Sequence, residues 1–73
     1  MYKMEYTDEI FAANLRAERA RADMTQEQLA TKIGISSASV VGYEKGTTLP
    51  TLRTLYKLAV ALGTTPNALM GWE

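Results

Sequence analysis

The sequence contains neither cysteine nor histidine among its 73 residues. Their absence excludes disulfide bonds, a thiol nucleophile, imidazole acid–base catalysis and most transition-metal sites. The carboxylates are scattered, and no nucleophile falls beside a base in the pattern that a catalytic site requires. Nothing in the sequence indicates an enzyme, and we expect no metal and no cofactor.

The chain also lacks net charge, because eight basic residues balance eight acidic ones. It therefore has no strong overall field to attract a polyanion such as DNA. No apolar run approaches the roughly 18 residues of a membrane span, and the N-terminus lacks the apolar core of a signal peptide. We expect a cytoplasmic protein with no membrane contact.

The composition is that of a folded globular protein, with 47% hydrophobic residues and only five Gly and two Pro. From its length we expect the sequence to form one domain, with no separate small-molecule ligand domain, although length alone leaves open whether it is a fragment of a longer regulator. We assign residues 8–73 to this domain and residues 1–7 to an N-terminal arm. Tyr2, Met4 and Tyr6 alternate with charged residues, which is typical of a short strand or a packed arm, although termini are disordered by default. We hypothesise that the arm packs on its own domain or pairs with a second copy.

Cap residues and apolar periodicity divide the domain into five helices. The predicted helices cover residues 8 to about 23, 25 to about 33, 36–46, 50–63 and 65–70. Their inward stripes comprise Phe11, Leu15 and Ala22, then Leu29, Ala30 and Ile33, then Val40 and Tyr43, then Leu52, Leu55, Leu58, Ala59 and Leu62, and finally Leu69 and Met70. The second and third helices are joined by a very short turn at Gly34. Such a pair is the unit that places one helix in a DNA major groove.

The stretch from Leu15 to Met70 resembles the lambda-repressor-like helix-turn-helix family of the Cro and XRE type. The matching segments are Arg19, Met24–Ala30, Ile33–Ser36, Tyr43–Gly46, Pro50 and Leu58–Gly63. Each segment alone is weakly specific, but their order and spacing together are characteristic. The resemblance implies a compact all-α fold of five helices, with the second helix across the DNA backbone and the third in the major groove.

The resemblance also implies an ion pair between Arg19 and Glu44, which match family residues that pair between helices one and three. We assign this pair to structure rather than to DNA reading. A charge on a core-facing side needs a partner, so removing either residue is expected to cost several kcal/mol. Glu18, on the inner face of helix one, departs from the family pattern and needs a hydrogen bond to Tyr43 or Tyr56, or a nearby Arg.

The DNA contacts that the family pattern implies lie on three segments. They comprise Gln26 at the start of helix two, then Ser36, Ser37, Ala38, Ser39, Val41, Gly42 and Lys45 on helix three, then Thr47, Thr48 and Arg53 around the start of helix four. Gln26 alternatively serves only as a solvated cap residue. None of the usual base-reading positions carries Arg, Asn or Gln, so base readout is expected to be thin or indirect.

Gly42 costs about 1 kcal/mol relative to Ala in a helix interior. Its presence indicates either a close backbone approach or a neutral surface position.

At the C-terminus, Leu69, Met70 and Trp72 form an apolar surface that the resemblance assigns to a homodimer contact, and a two-fold dimer matches a palindromic operator. Alternatively, Trp72 folds back over the small core.

The function expected from this resemblance is sequence-specific binding of double-stranded DNA by a transcriptional regulator, most simply a repressor. The alternative is a protein-interaction module on the same fold, of the antitoxin or antirepressor kind, favoured by the small apolar face of Ala38, Val41 and Gly42. Salt dependence separates the two, because DNA binding releases counterions.

Overall fold

The computed structural model describes residues 7–72. Within them every regular element is a helix, which confirms the predicted all-α five-helix fold. The helices are α1 (Asp8–Arg21), α2 (Gln26–Ile33), α3 (Ser37–Lys45), α4 (Leu52–Leu62) and α5 (Pro66–Met70). The predicted N-terminal arm, except for Thr7, lies outside the described residues, as does Glu73.

Short hydroxyl side chains start four of the five helices. Each accepts a hydrogen bond from the backbone N–H three residues further on, at 3.0 to 3.1 Å, and satisfies a donor that has no partner within the helix. These cap residues are Thr25, Ser36, Thr51 and Thr65. Thr7 precedes α1 without such a bond, but Asp8 and Glu9 place negative charge in the first turn, where the helix dipole favours it.

The first helix ends earlier than predicted. α1 stops at Arg21, Ala22 is its cap residue, and Asp23 adopts a left-handed conformation with φ of 59°. Asp is one of the few residues besides Gly that tolerate this conformation. The helix therefore cannot continue to Asp23, and the chain turns there toward α2.

The core draws side chains from all five helices. Its fully or almost fully buried members are Phe11, Ala12, Leu15, Leu29, Ala30, Val40, Leu55, Leu58, Ala59, Leu62 and Leu69. The ring of Phe11 meets Tyr43 edge to face at 6.3 Å, which joins α1 to α3. The prediction that Leu52 belongs to the core is wrong, because its side chain is 84% exposed. Leu52 is the first residue of α4, and no described helix covers that side of its first turn.

The contacts between helices determine which helix faces remain available to a ligand. α2 packs against α3 and α4, while α1 packs against α3 and α5, so that α1 and α2 are the helices that hold α3 in place. Among the described residues, no helix is both long enough and apolar enough to cross a membrane.

Candidate nucleic-acid interface

The turn between α2 and α3 is short because both of its ends are capped. Gly34 ends α2 with φ of 77°, a left-handed conformation that Gly adopts without steric cost, and Ile35 donates its N–H to the carbonyl of Ala30. Ser36 then caps α3. At the other end of α2, Thr25 and Gln28 form the predicted capping box. These local bonds fix α3 relative to α2.

The outer face of α3 is formed by the predicted contact residues. Val40 and Glu44 are the buried residues of this helix and mark its inner face. Ser37, Ala38 and Lys45 are exposed, whereas Ser39, Val41 and Gly42 are partly buried. The structure thus presents a narrow face of small side chains with one cation at its end.

Two of the serines at the start of α3 are engaged with one another. The Ser36 hydroxyl accepts the Ser39 N–H at 3.1 Å and lies 3.0 Å from the Ser39 hydroxyl. This cap leaves Ser37 as the serine of the first turn whose hydroxyl bonds to no other described residue. Ser37 and Ala38 are therefore the side chains of this turn that are open to a ligand.

The structure brings Arg19 and Glu44 together in a two-bond ion pair. Arg19 Nε donates to Glu44 Oε2 at 2.6 Å, and Arg19 Nη2 donates to Glu44 Oε1 at 3.1 Å. Glu44 is only 4% exposed. The hydrogen bond to Glu44 raises the pKa of the Arg19 guanidinium, with the nearby negative charge adding to it, although burial acts in the opposite direction. Arg19 therefore remains charged across the neutral range.

Gln26 belongs to this buried pair as well as to the surface. Its side-chain amide donates to Glu44 Oε1 at 2.9 Å, and the residue is partly buried. Gln26 is therefore not simply a solvated cap residue, and its side chain does not simply point outward toward DNA either. The second amide hydrogen and the amide oxygen of Gln26 bond to no other described residue, and its backbone lies at the N-terminus of α2.

The segment from α3 to α4 carries the remaining predicted contacts. Lys45, Thr47, Thr48 and Arg53 are all exposed. Thr47 donates both its N–H and its hydroxyl to the carbonyl of Gly42, at 3.1 and 3.2 Å. The close approach that the sequence indicates at Gly42 is thus made by this loop of the same chain.

Ion pairing distributes the charges of the neutral chain unevenly. Within residues 7–72, three arginines are paired with carboxylates: Arg16 with Glu9, Arg19 with Glu44 and Arg21 with Glu18. The last pair gives Glu18 the nearby Arg partner that was one of its expected ways of being satisfied. Among the described residues, Lys32, Lys45, Arg53 and Lys57 form no ion pair. Two of these four cations lie on the candidate interface.

A second exposed surface lies beside α5. Leu69 is fully buried in the core of its own chain, so the prediction that it contacts a second copy is wrong for this residue. Trp72 is 59% exposed instead of covering the core, and Met70 lines a groove of about 220 Å³. The other residues lining this groove are Phe11, Leu49, Pro50, Leu52 and Leu55. Leu49 was not predicted to belong to this surface, because it stands outside any helical period.

The candidate interface combines residues from α2, α3 and the segment that leads into α4. No group of Asp or Glu residues within the described part of the chain is placed to hold a metal ion. The candidate interface comprises the outer face of α3 with Lys45 at its end, the first turn of α2 with Gln26, and the exposed Arg53 in the first turn of α4. These features define the class of helix-turn-helix proteins.

Comparison with protein families identifies the family. The helix-turn-helix family model matches residues 15–69, which include α2 to α4 entirely, and the chain belongs to this family. It is 39% identical over 54 residues to the cryptic phage CTXphi transcriptional repressor RstR of Vibrio cholerae. That match covers 74% of this chain but 49% of the relative, so the chain spans about half the length of that repressor.

Solved structures share the fold. The restriction-modification controller protein C.AhdI of Aeromonas hydrophila superposes with a TM-score of 0.80 and 34% identity, over 85% of this chain and 94% of the controller protein. Hydroxypropylphosphonic acid epoxidase from S. wedmorenis superposes with a TM-score of 0.82 and 29% identity. That match covers 92% of this chain but only 36% of the epoxidase, so it concerns a part of that enzyme.

Proposed function

We propose that this protein is a DNA-binding transcriptional regulator that places α3 in the major groove, and that it acts as a repressor by occupying its operator. The observation that carries the proposal is the outer face of α3, where Ser37, Ala38 and Lys45 are exposed on the side opposite to the buried Val40 and Glu44. The family membership and the relatives named as a repressor and a controller protein support it.

The composition of the face sets the balance between phosphate and base contacts. Phosphate contacts come from Lys45, Arg53 and the N-termini of α2 and α4, where unpaired N–H groups and the helix dipole favour an anion. Base contacts come from the hydroxyl of Ser37 and from apolar packing of Ala38 and Val41 against thymine methyl groups. Glu27 lies exposed in the first turn of α2 and weakens the phosphate attraction. We therefore expect modest affinity that falls as salt rises.

The proposed DNA-binding form is a homodimer. One copy makes few base contacts, and the exposed apolar side chains of Leu49 and Leu52 line the groove at Met70, two residues before the exposed Trp72. Covering this surface with a second copy removes apolar area from water and pairs two recognition helices about a two-fold axis. The pair then matches a palindromic site.

The proposed role needs no catalysis. Transcriptional regulation by operator occupancy uses binding alone, and the buried carboxylate of Glu44 serves the fold by pairing α3 with Arg19 of α1. Because the proposed ligand is genomic or phage DNA, the compartment in which the protein acts is the cytoplasm.

Selection from a pool of random duplex DNA tests the proposal. The recovered sequences are read after several rounds, and the affinity of the best duplex is measured at 50 and 200 mM salt. We expect enrichment of a palindrome and an affinity that falls with salt. Absence of enrichment at low salt, with the fold verified by circular dichroism, would contradict the proposal and favour the protein-interaction module.

A further inference from the structure

The position of Gly42 on α3 is the starting point. The buried residues Val40 and Glu44 mark the inner face of the helix. Since successive residues turn by about 100°, Gly42 lies on the side opposite to both. It stands at the middle of the outer face, and a side chain there would point furthest from the core.

The loop after α3 takes the place of that missing side chain. A Cβ atom built on Gly42 would lie 2.8 Å from Thr48 Oγ1 and 3.5 Å from Thr47 Oγ1. Real Cβ atoms do not approach an oxygen as closely as 2.8 Å, so the loop occupies the space of a side chain at position 42. The surface that α3 presents there is made by the two threonines.

The hydroxyls of Thr47 and Thr48 differ in the hydrogen-bonding capacity that remains for a ligand. Thr47 uses its hydroxyl and its N–H on the carbonyl of Gly42, which anchors the loop to α3. The hydroxyl of Thr48 bonds to no other described residue, and Thr48 is exposed. It therefore retains its donor and its acceptor capacity at the middle of the outer face.

We propose that Thr48 is a specificity-determining residue, whose hydroxyl reads one base edge in the major groove in place of a side chain at position 42. The inference rests on the proposed function, because it requires the outer face of α3 to face DNA. A hydroxyl donates to the N7 or O6 of guanine or to the O4 of thymine, and accepts from the amino group of adenine or cytosine. Thr47 is a positioning residue that holds the loop against α3.

The test repeats the duplex selection with three variants. Thr48→Val removes the hydroxyl at nearly constant shape, Thr48→Ser keeps the hydroxyl, and Thr64→Val is a matched change in the loop between α4 and α5. We expect Thr48→Val to lose the base preference at one position of each half-site and to bind the best wild-type duplex roughly two- to tenfold more weakly. Thr48→Ser and Thr64→Val should keep the wild-type preference at every position.

The outcomes separate this inference from the proposed function. An unchanged preference in Thr48→Val, with the wild type enriching a site, overturns the role of Thr48 alone. Equal weakening on all sequences, with a shallower salt dependence, also overturns it, because it identifies a phosphate contact. Failure of the wild type to enrich any sequence overturns the proposed function as well. Circular dichroism of each variant excludes loss of fold as the cause.

Discussion

Gln26 links the candidate interface to the buried ion pair. Its amide donates to Glu44, while its backbone lies at the N-terminus of α2, where phosphate is expected. The side chain therefore helps to hold α2 against α3 even without DNA. A substitution of Gln26 will therefore affect DNA binding in two ways, through the loss of its contact with DNA and through a shift of α2 relative to α3.

Changing Gln26 to Glu tests this link. Gln26→Glu places a second carboxylate against the buried Glu44 and removes a donor, so we expect the free energy of unfolding to fall by about 1–3 kcal/mol. Gln28→Glu is the matched control, because Glu is a favoured capping-box residue in the same turn, and it should stay within about 0.5 kcal/mol of the wild type. Urea unfolding measures both. Equal effects of the two changes would contradict the link.

The Arg19–Glu44 pair gives a second prediction. Arg19→Met leaves the Glu44 carboxylate buried with Gln26 as its remaining side-chain donor, and should cost about 3–5 kcal/mol, a large part of the stability of a small domain. The double variant Arg19→Met with Glu44→Met should recover most of this loss, because no buried charge remains unpaired. Arg21→Met, in the exposed pair with Glu18, should cost at most about 1 kcal/mol.

Urea unfolding at neutral pH measures this series too. A double variant no more stable than Arg19→Met would show that the pair is needed for more than charge balance.

Individual residues were only partly predictable from sequence. The resemblance implied the pair, whereas the Gln26 contact joins residues 18 positions apart and no local pattern indicates it.

At the scale of elements, the connection from α3 to α4 is the distinctive feature. Thr47 and Thr48 fold back over Gly42, so the loop forms part of the surface of α3. Gly42 avoids a collision there, at a cost of about 1 kcal/mol in helix propensity relative to Ala. The helix and the loop are therefore expected to respond together to substitution.

A double-mutant cycle over Gly42→Ala and Thr48→Ala measures this coupling. In the Thr48→Ala background the new Cβ no longer collides with a hydroxyl, since Thr47 Oγ1 at 3.5 Å is in ordinary van der Waals contact, and Gly42→Ala should stabilise the protein by about 1 kcal/mol. In the wild-type background the hydroxyl must move first, so the gain should be smaller or absent. Urea unfolding of the four proteins gives the coupling. The same gain in both backgrounds would contradict the contact.

Helix boundaries were predictable because hydroxyl caps and glycines are local signals, and four of the five helices start after the expected residue type. The end of α1 was not predictable in this way. Ala22 has a high helix propensity, and the signal that ends the helix is the left-handed conformation of Asp23. Periodicity placed Leu52 in the core, but burial depends on which neighbouring helix covers each turn. The loop over Gly42 depends on tertiary contact and had no signal in the sequence beyond the glycine itself.

For the whole molecule, the exposed apolar surface near α5 argues for a second copy. Leu52→Lys charges this surface without disturbing the core, because Leu52 is almost fully exposed. We expect a dimeric wild type, a monomeric Leu52→Lys variant of unchanged fold, and weaker binding of the variant to a palindromic duplex. Val60→Lys, two turns further along α4 and also exposed, is the control and should remain dimeric. Sedimentation equilibrium measures the mass, and a monomeric wild type at high concentration would contradict the proposed dimer.

The charge of the whole chain is a poor guide to its surface. A formal net charge of zero counts against DNA binding, yet three of the arginines are engaged in ion pairs while Lys45 and Arg53 lie on the candidate interface. Composition alone therefore could not locate the interface. Which charges remain available depends on ion pairing, both within α1 and between α1 and α3.

The most direct test of the central claim is an NMR titration of the labelled protein with duplex DNA at low salt. We predict that the amide signals that move most belong to the first turn of α2, to α3 and to residues 47–53, and that the movement is reversed by added salt. Signals of Lys57 and Val60, on the exposed face further along α4, should move little. The largest shifts along that part of α4, or no shifts at all with a folded protein, would contradict the assignment of α3 as the recognition helix.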